Sequence, residues 1–182
     1  MQYEAKKLPL KDGRKAVLRV PTPEDAPELL RYLIGISGET EFVLAYPEER
    51  QGMTVEREAA FIERMTQDEN CLFLVCEVEG RVAGCCQVDF QTRMKTAHRG
   101  TVAIGLRKAY WGLGIGTAMF REMIGISRRR GLMILELEFI EGNTRARALY
   151  EKMGFRIVGL RPDGIRLRDG TLCNEYLMQL RL

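Results

Sequence analysis

The apolar positions of this chain change period several times, and each change marks an element. Ala5–Leu10 and Arg14–Val20 read as two strands, and the Asp12-Gly13 pair between them suits a two-residue hairpin turn. Thr22-Pro23-Glu24-Asp25 then reads as a helix start: a capping hydroxyl, a proline for the first turn, and acids at the positive end. Leu29, Leu30 and Leu33 give that helix its apolar stripe. After an irregular, acidic stretch from Ser37 to Arg50, the spacing predicts a second helix near Val55–Gln67, with Ala59, Phe61, Ile62 and Met65 facing inward. A long β region follows. Cys71–Val78 and Arg81–Phe90 meet at Glu79-Gly80, Gln91–His98 is a polar loop, and Gly100–Leu106 is another strand.

Beyond Leu106 the pattern turns helical. Gly112-Leu113-Gly114-Ile115-Gly116 opens a helix running to Arg130, with Ile115, Met119, Met123 and Ile126 on one side. Gly125 costs about 1 kcal/mol against alanine there, so it implies close packing. Arg128, Arg129 and Arg130 suit the negative carboxyl end. Met133–Ile140 is a strand, Asn143–Met153 a helix stopped by Gly154, and Phe155–Leu160, Ile165–Arg168 and Thr171–Arg181 are strands, the last turn being Asp169-Gly170. Antiparallel strands thus precede a strand–helix–strand–helix–strand unit. That order predicts an α/β fold with one largely continuous mixed sheet, because a doubly wound parallel sheet would alternate throughout.

Composition narrows the function classes. The chain has 182 residues, 46% of them hydrophobic and 29% charged, which fits one soluble domain over residues 1–182. A net charge of +3 is too small to argue for nucleic acid or a membrane surface. No apolar run reaches the ~20 residues that span a bilayer, and Met1–Lys7 has no apolar signal core behind it, so the expected compartment is the cytoplasm. Cys71, Cys76, Cys85, Cys86 and Cys173 are odd in number, with no Cys-x-x-Cys pair, and His98 is the single histidine. Buried free thiols, rather than disulfides or a metal site, are expected. A homodimer is compatible with the sequence and not required by it.

The candidate chemistry sits at the glycine turn. Glycines let backbone N–H groups converge on one concavity, and the helix behind adds a positive end, so together they can hold a phosphate without a basic side chain. The Walker A pattern fails because no lysine follows. The dinucleotide fingerprint fails because the sixth position is Thr117 counted from Gly112, or Met119 counted from Gly114. A tight turn holding nothing stays open on these residues alone.

The run Val102–Phe120, with Tyr110-Trp111-Gly112-Leu113-Gly114-Ile115-Gly116-Thr117-Ala118, resembles the acetyl-CoA motif of the GNAT acetyltransferases, in the Tyr-Trp-Gly form of the ribosomal-protein N-terminal acetyltransferase branch. Trp111 stands where the family's usual Arg or Gln would be. A second block, Asn143, Ala146, Leu149, Tyr150, Met153, Gly154 and Phe155, resembles the family's Asn-x-x-Ala-x-x-Leu-Tyr…Gly-Phe, and the element order agrees over nearly the whole chain. The resemblance implies a single-domain GNAT-like fold, with a central, mostly antiparallel mixed sheet and about four flanking helices. It implies acetyl-CoA as cosubstrate, its pyrophosphate on the backbone of Gly112, Leu113, Gly114, Ile115, Gly116 and Thr117. The pantetheine arm would run along Ile104, Gly105 and Leu106 as an added strand, with a backbone N–H near Leu106 polarising the thioester carbonyl.

The resemblance also implies an acceptor amine that attacks the thioester directly in a ternary complex. A lysine-like amine is neutral in only about one molecule in ~10³ at pH 7, so a base helps. The family's acid on the strand before the turn has no counterpart here, where Arg99-Gly100-Thr101-Val102 stands. A relayed water or His98 could serve, histidine titrating at ~6.5 when unperturbed; a solvated loop residue is the plain alternative for His98. Tyr150 is the family-matched proton donor to the departing thiolate, or else a core aromatic. Asn143 suits cofactor contact and helix capping alike. Glu39, Glu41, Glu48 and Glu49 lie where the family walls its acceptor cleft; Glu39 and Glu41 would draw a cationic amine (a polyamine, a peptide amino terminus or an aminoglycoside), or simply form a solvated acidic loop. A non-catalytic acetyl-CoA sensor is the alternative reading.

Overall fold

The computed structural model describes residues 3–182, so Met1 and Gln2 lie outside the described residues. Strands β1 (Lys6–Pro9), β2 (Lys15–Arg19), β3 (Cys71–Val78), β4 (Arg81–Phe90), β5 (Arg99–Leu106), β6 (Ile134–Ile140), β7 (Arg156–Arg166) and β8 (Leu172–Arg181) form one sheet in the order β1-β2-β3-β4-β5-β6-β8-β7. The helices are α1 (Ala26–Glu39), α2 (Val55–Gln67), α3 (Ile115–Arg129) and α4 (Thr144–Lys152). The α/β class, the mixed sheet and the four helices are those the sequence implied. No described helix is long and apolar enough to cross a membrane.

The chain divides into two compact units, with the boundaries inside β4, β5 and α3. The first, residues 1–89 and 103–119, carries the β1–β4 ladders, all antiparallel, together with α1 and α2. Its β3 is buried at Cys71–Cys76 without interruption, as befits a strand covered on both faces. On one of those faces Ala26, Leu29, Tyr32 and Ile36 of α1 and Ile62 of α2 pack on Cys71, Phe73 and Val75. The second unit, residues 90–102 and 120–182, pairs β5 with β6 in parallel at Arg99–Thr101, and β8 with β6 and β7 antiparallel. Its core gathers Phe120, Met123, Leu135, Leu137, Phe139, Phe155 and Met178.

Four details depart from the sequence reading. Both Asp-Gly hairpins are wider than two residues. Leu10 N–H bonds the Arg14 carbonyl and Leu167 N–H bonds that of Thr171, so each loop spans three residues and ends on a left-handed glycine, Gly13 at φ 88° and Gly170 at φ 90°. The aspartates choose that form, since Asp12 Oδ1 accepts from Arg14 N–H and Asp169 Oδ1 from Thr171 N–H. Second, Phe155–Leu160 and Ile165–Arg168 are not separate strands: β7 runs through Pro162 to Arg166 with shifts in register at Ile157/Gly159 and Arg161/Ile165. A bulge absorbs the Pro-Asp-Gly run without breaking the strand. Third, Gly125 is not closely packed, because a Cβ there would meet only Arg129 Nη1 at 3.5 Å. Fourth, part of the irregular Ser37–Arg50 stretch is ordered: α1 extends to Glu39 and Pro47–Arg50 forms a 3-10 turn.

Candidate active site

The glycine turn is built from the end of β5. After Leu106 the chain makes a 3-10 turn at Lys108–Tyr110, reaches Trp111 in extended conformation, and reverses at Gly112 (φ 78°) and Gly114 (φ 97°) before α3 begins. Only glycine adopts such angles without strain. A Cβ at either glycine would meet no atom within 4 Å, so the backbone faces open space. The first helical bond of α3 runs from Ala118 N–H to the Gly114 carbonyl at 3.1 Å. The N–H groups of Ile115, Gly116 and Thr117 therefore precede the ladder, as the first donors of any helix do. Open space, left-handed glycines and leading donors fit a pyrophosphate.

The turn is braced within its own unit. Trp111 Nε1 donates to the Leu106 carbonyl at 2.8 Å, folding the loop back on the strand that feeds it. The indole at the position of the family's Arg or Gln thus has a structural use. Lys11 N–H reaches the Leu113 carbonyl at 3.4 Å, and the Arg14 guanidinium lies over the Tyr110 ring at 5.5 Å. Arg107 N–H bonds the Ala83 carbonyl of β4 at 3.0 Å.

Glu39 belongs to this brace. Its Oε1 accepts from Arg107 Nε at 2.9 Å and its Oε2 from Lys108 N–H at 2.7 Å. One helical turn earlier, Gly35 lets the guanidinium lie against α1, where a Cβ would come 2.9 Å from Arg107 Cζ. The Glu39 carboxylate is thus engaged internally, whereas Glu41 is exposed in the turn that follows α1. The structure does not bring the two together as a pair.

Along β5, the ladder to β6 covers Arg99–Thr101. Ile104, Gly105 and Leu106 lie beyond it. Gly105 is where α1 closes on the strand: a Cβ there would fall 2.5 Å from the Tyr32 hydroxyl and 3.0 Å from Ile36 Cδ1. Tyr32 Oη accepts from Cys85 Sγ of β4 at 3.5 Å. Burial pushes the Tyr32 phenol well above its ordinary range and the Cys85 thiol up to about 11.

The remaining candidates lie in the second unit. Tyr150 is 7% exposed, and its ring meets those of Phe120 at 5.6 Å and Phe139 at 6.1 Å, edge to face. Burial pushes its phenol up to about 12, so it holds its proton at neutral pH. Asn143 caps α4, its Oδ1 accepting from Ala146 N–H at 3.3 Å. His98 is half-buried at the end of the loop before β5, and its carbonyl accepts the Met133 and Ile134 N–H groups at 2.9 and 3.1 Å.

The family model described as Acetyltransferase (GNAT) family matches residues 39–155, which include both the glycine turn and the Asn143–Phe155 block. The chain belongs to the GNAT acetyltransferases. A curated relative of this GNAT enzyme is the L-amino acid N-acetyltransferase AaaT of Escherichia coli K12, 29% identical over 118 residues, covering 64% of this chain and 72% of that protein. Among solved structures, a GNAT-family acetyltransferase from Streptococcus pneumoniae superposes with a TM-score of 0.84 at 28% identity, over 92% of this chain and 99% of that one. The ribosomal-protein-alanine N-acetyltransferase of Brucella melitensis does so with 0.77 at 23% identity, over 91% and 99%, a likeness of fold.

The sequence reading missed Glu58 and Arg50. Glu58 is 2% exposed on α2, one helical turn before the fully buried Ile62, so the same spacing that selected Ile62 points Glu58 inward. Arg50 ends the 3-10 turn ahead of α2, and its Nε is buried without a partner.

Proposed function

We propose that this GNAT enzyme transfers the acetyl group of acetyl-CoA to a primary amine by direct attack. The observation that carries the reading is the pair of left-handed glycines, Gly112 and Gly114, opening on free space just ahead of the α3 donors. The backbone of Leu113–Thr117 binds the pyrophosphate, with the helix amino end supplying positive potential. The pantetheine arm pairs with the Ile104–Leu106 edge as an extra strand, and Asn143 contributes a side-chain amide to the same ligand.

The amine nitrogen forms its bond to the acetyl carbon as the carbon–sulfur bond breaks. The thiolate takes the Tyr150 phenolic proton, which burial keeps in place until that moment. Water takes the proton from the attacking amine, because His98 stands just before β5, at the opposite end of that strand from Leu106 and more than about 20 Å away along it. A free amino acid, a polyamine and a protein amino terminus are the acceptor classes; the first is supported by the name of the Escherichia coli relative, and Glu41 lends negative potential to the approach of any of them.

Two assays test this. Thermal denaturation with coenzyme A, ATP or NAD should show stabilisation by coenzyme A alone. Thiol release from acetyl-CoA across a panel of amines should then identify an acceptor. Equal stabilisation by all three nucleotides, or thiol release that no amine accelerates, would refute the reading.

A further inference from the structure

The second unit concentrates positive charge at one end. Residues 91–99 and 128–134 supply Arg93, Lys95, Arg99, Arg128, Arg129 and Arg130 and no acid, although the whole chain has a net charge of only +3. The fold brings the two segments together. The His98 carbonyl, at the end of the loop between β4 and β5, accepts the N–H groups of Met133 and Ile134 at 2.9 and 3.1 Å, just beyond α3. The Arg130 guanidinium lies over the Phe90 ring, 4.3 Å from its centroid, where the same loop begins. Arg99 has an acidic partner, Glu136 at 3.4 Å. Among the described residues, Arg93, Lys95, Arg128, Arg129 and Arg130 have none, and all five are exposed. The second oxygen of Glu136 accepts from Gln179 Nε2 at 3.2 Å, and Asp89, the acid ahead of the loop, accepts from Gln87 Nε2 at 2.7 Å. The acids flanking these segments are thus already engaged.

Two methionines belong to the same segments. Met94 is 97% exposed and Met133 63% exposed. Met94 is one of the two central residues of a turn tied at its base, where Thr96 N–H, Ala97 N–H and Thr96 Oγ1 all donate to the Arg93 carbonyl, at 2.7, 2.8 and 3.2 Å. The turn holds an apolar side chain out in solvent between two cations, Arg93 and Lys95. The carboxyl end of α3 favours Arg128, Arg129 and Arg130 whatever binds there. It accounts for neither the loop cations nor the methionine at the loop tip. A lone exposed apolar residue calls for no explanation. Two of them, in segments that carry five unpaired cations, make a surface that is apolar and positive at once.

We infer that this end of the second unit docks on the surface of an anionic phospholipid membrane, its cations meeting headgroup phosphates while Met94 and Met133 enter the boundary of the acyl chains. Basic side chains held near such a surface and apolar ones sunk beneath it act together. A single-stranded nucleic acid would satisfy the cations but stacks its bases on aromatic rings, and the aromatic here, Phe90, is 6% exposed beneath Arg130. A duplex would meet the cations through its phosphates and leave both methionines in water. The attachment is peripheral and uses no membrane-crossing element, so salt weakens it. The whole-chain charge conceals this surface because it averages the end of one unit over 182 residues. The inference does not depend on the acetyl-transfer reading.

The test is flotation of the full chain with vesicles of phosphatidylglycerol and phosphatidylcholine in equal parts, compared with vesicles of phosphatidylcholine alone. The chain should float with the anionic vesicles only, and its affinity should fall about tenfold or more as salt rises from about 0.05 to about 0.5 M. Each cation removed should weaken binding about fivefold, so Arg93→Gln combined with Lys95→Gln should weaken it about 25-fold. Met94→Gln leaves the charge unchanged and should weaken binding about tenfold, whereas Met94→Leu should retain it. Thermal denaturation should find each variant folded, and acetyl transfer to a dissolved amine should be unchanged, since these residues lie outside the candidate active site. A fluorescently labelled RNA duplex supplies the competing arm. Binding to neither vesicle, equal binding to both, or a Met94→Gln variant that floats like the wild type refutes the proposal. Tighter binding to the RNA duplex than to the anionic vesicles assigns the surface to nucleic acid and refutes it as well. Failure of vesicle binding does not touch acetyl transfer, and failure of transfer does not touch vesicle binding, so the two readings fall separately.

Discussion

Replacing Glu39 separates two accounts of an acid that the sequence placed at the acceptor. In the structure both its oxygens are occupied, by Arg107 Nε at 2.9 Å and Lys108 N–H at 2.7 Å. A glutamine in its place would keep one acceptor and turn a donor toward the other N–H, so one contact is lost and one becomes repulsive. A hydrogen bond to a charged group contributes about 1.5–3 kcal/mol, and the side chains of Glu39 and Arg107 are 22% and 32% exposed, so solvent takes part of it back. Glu39→Gln should therefore cost about 1–2 kcal/mol, or a fall in Tm of roughly 2–8 °C for a domain of this size. Because Arg107 and Lys108 lead into the glycine turn, the KM for acetyl-CoA should rise several-fold while the KM for the amine stays within twofold. Thermal denaturation and two-substrate kinetics read both quantities. An unchanged Tm together with a raised amine KM would refute the brace and return Glu39 to the acceptor.

Gly114→Ala should cost about 1–2 kcal/mol, the penalty for a Cβ at φ 97°, and should weaken coenzyme A binding measured by calorimetry, with the far-UV spectrum unchanged. Gly105→Ala puts a Cβ 2.5 Å from the Tyr32 hydroxyl and should destabilise by about 1–3 kcal/mol; adding Tyr32→Phe should restore part of that, as a double-mutant cycle in denaturant would show. Tyr150→Phe keeps the ring contacts, so Tm at pH 7 should hold while kcat falls about 10²-fold or more, as loss of a general acid does. Its phenol is raised in the fold to about 12 from 10.0, so the stability it contributes is complete below pH 10 and is lost as the pH rises toward 12. The Phe variant should lose less stability than the wild type across that window in denaturant titrations.

Most of the fold is legible in the sequence because period and punctuation agree there. Glu79-Gly80 is an example: both residues adopt positive φ, 51° and 75°, as a tight hairpin between β3 and β4 requires. The Asp-Gly loops are one residue wider than their spacing suggests because an aspartate can bond the N–H two residues on, a local choice that spacing does not display. The β7 bulge is hidden because Pro-Asp-Gly punctuates turns and bulges alike. At the candidate site, the glycines and the Asn143 cap are readable, since backbone conformation is written in residue type. Glu39 and Glu58 are not, because an acid's role depends on what faces it from another element. Helical spacing from Ile62 places Glu58 inward, a signal masked by the rarity of buried carboxylates. No local pattern could announce that Arg107 would reach back to α1.

The central claim is acetyl transfer from acetyl-CoA to an amine, with the cosubstrate held at the glycine turn. Its most direct measurement is mass spectrometry of the products after incubation with isotopically labelled acetyl-CoA and the acceptor panel, for the wild type and Gly114→Ala side by side. The account predicts labelled acetyl on the nitrogen of an amine, one free coenzyme A per transfer, and a marked loss of both in the variant. Free coenzyme A with no labelled amine, or an undiminished yield from Gly114→Ala, would contradict it.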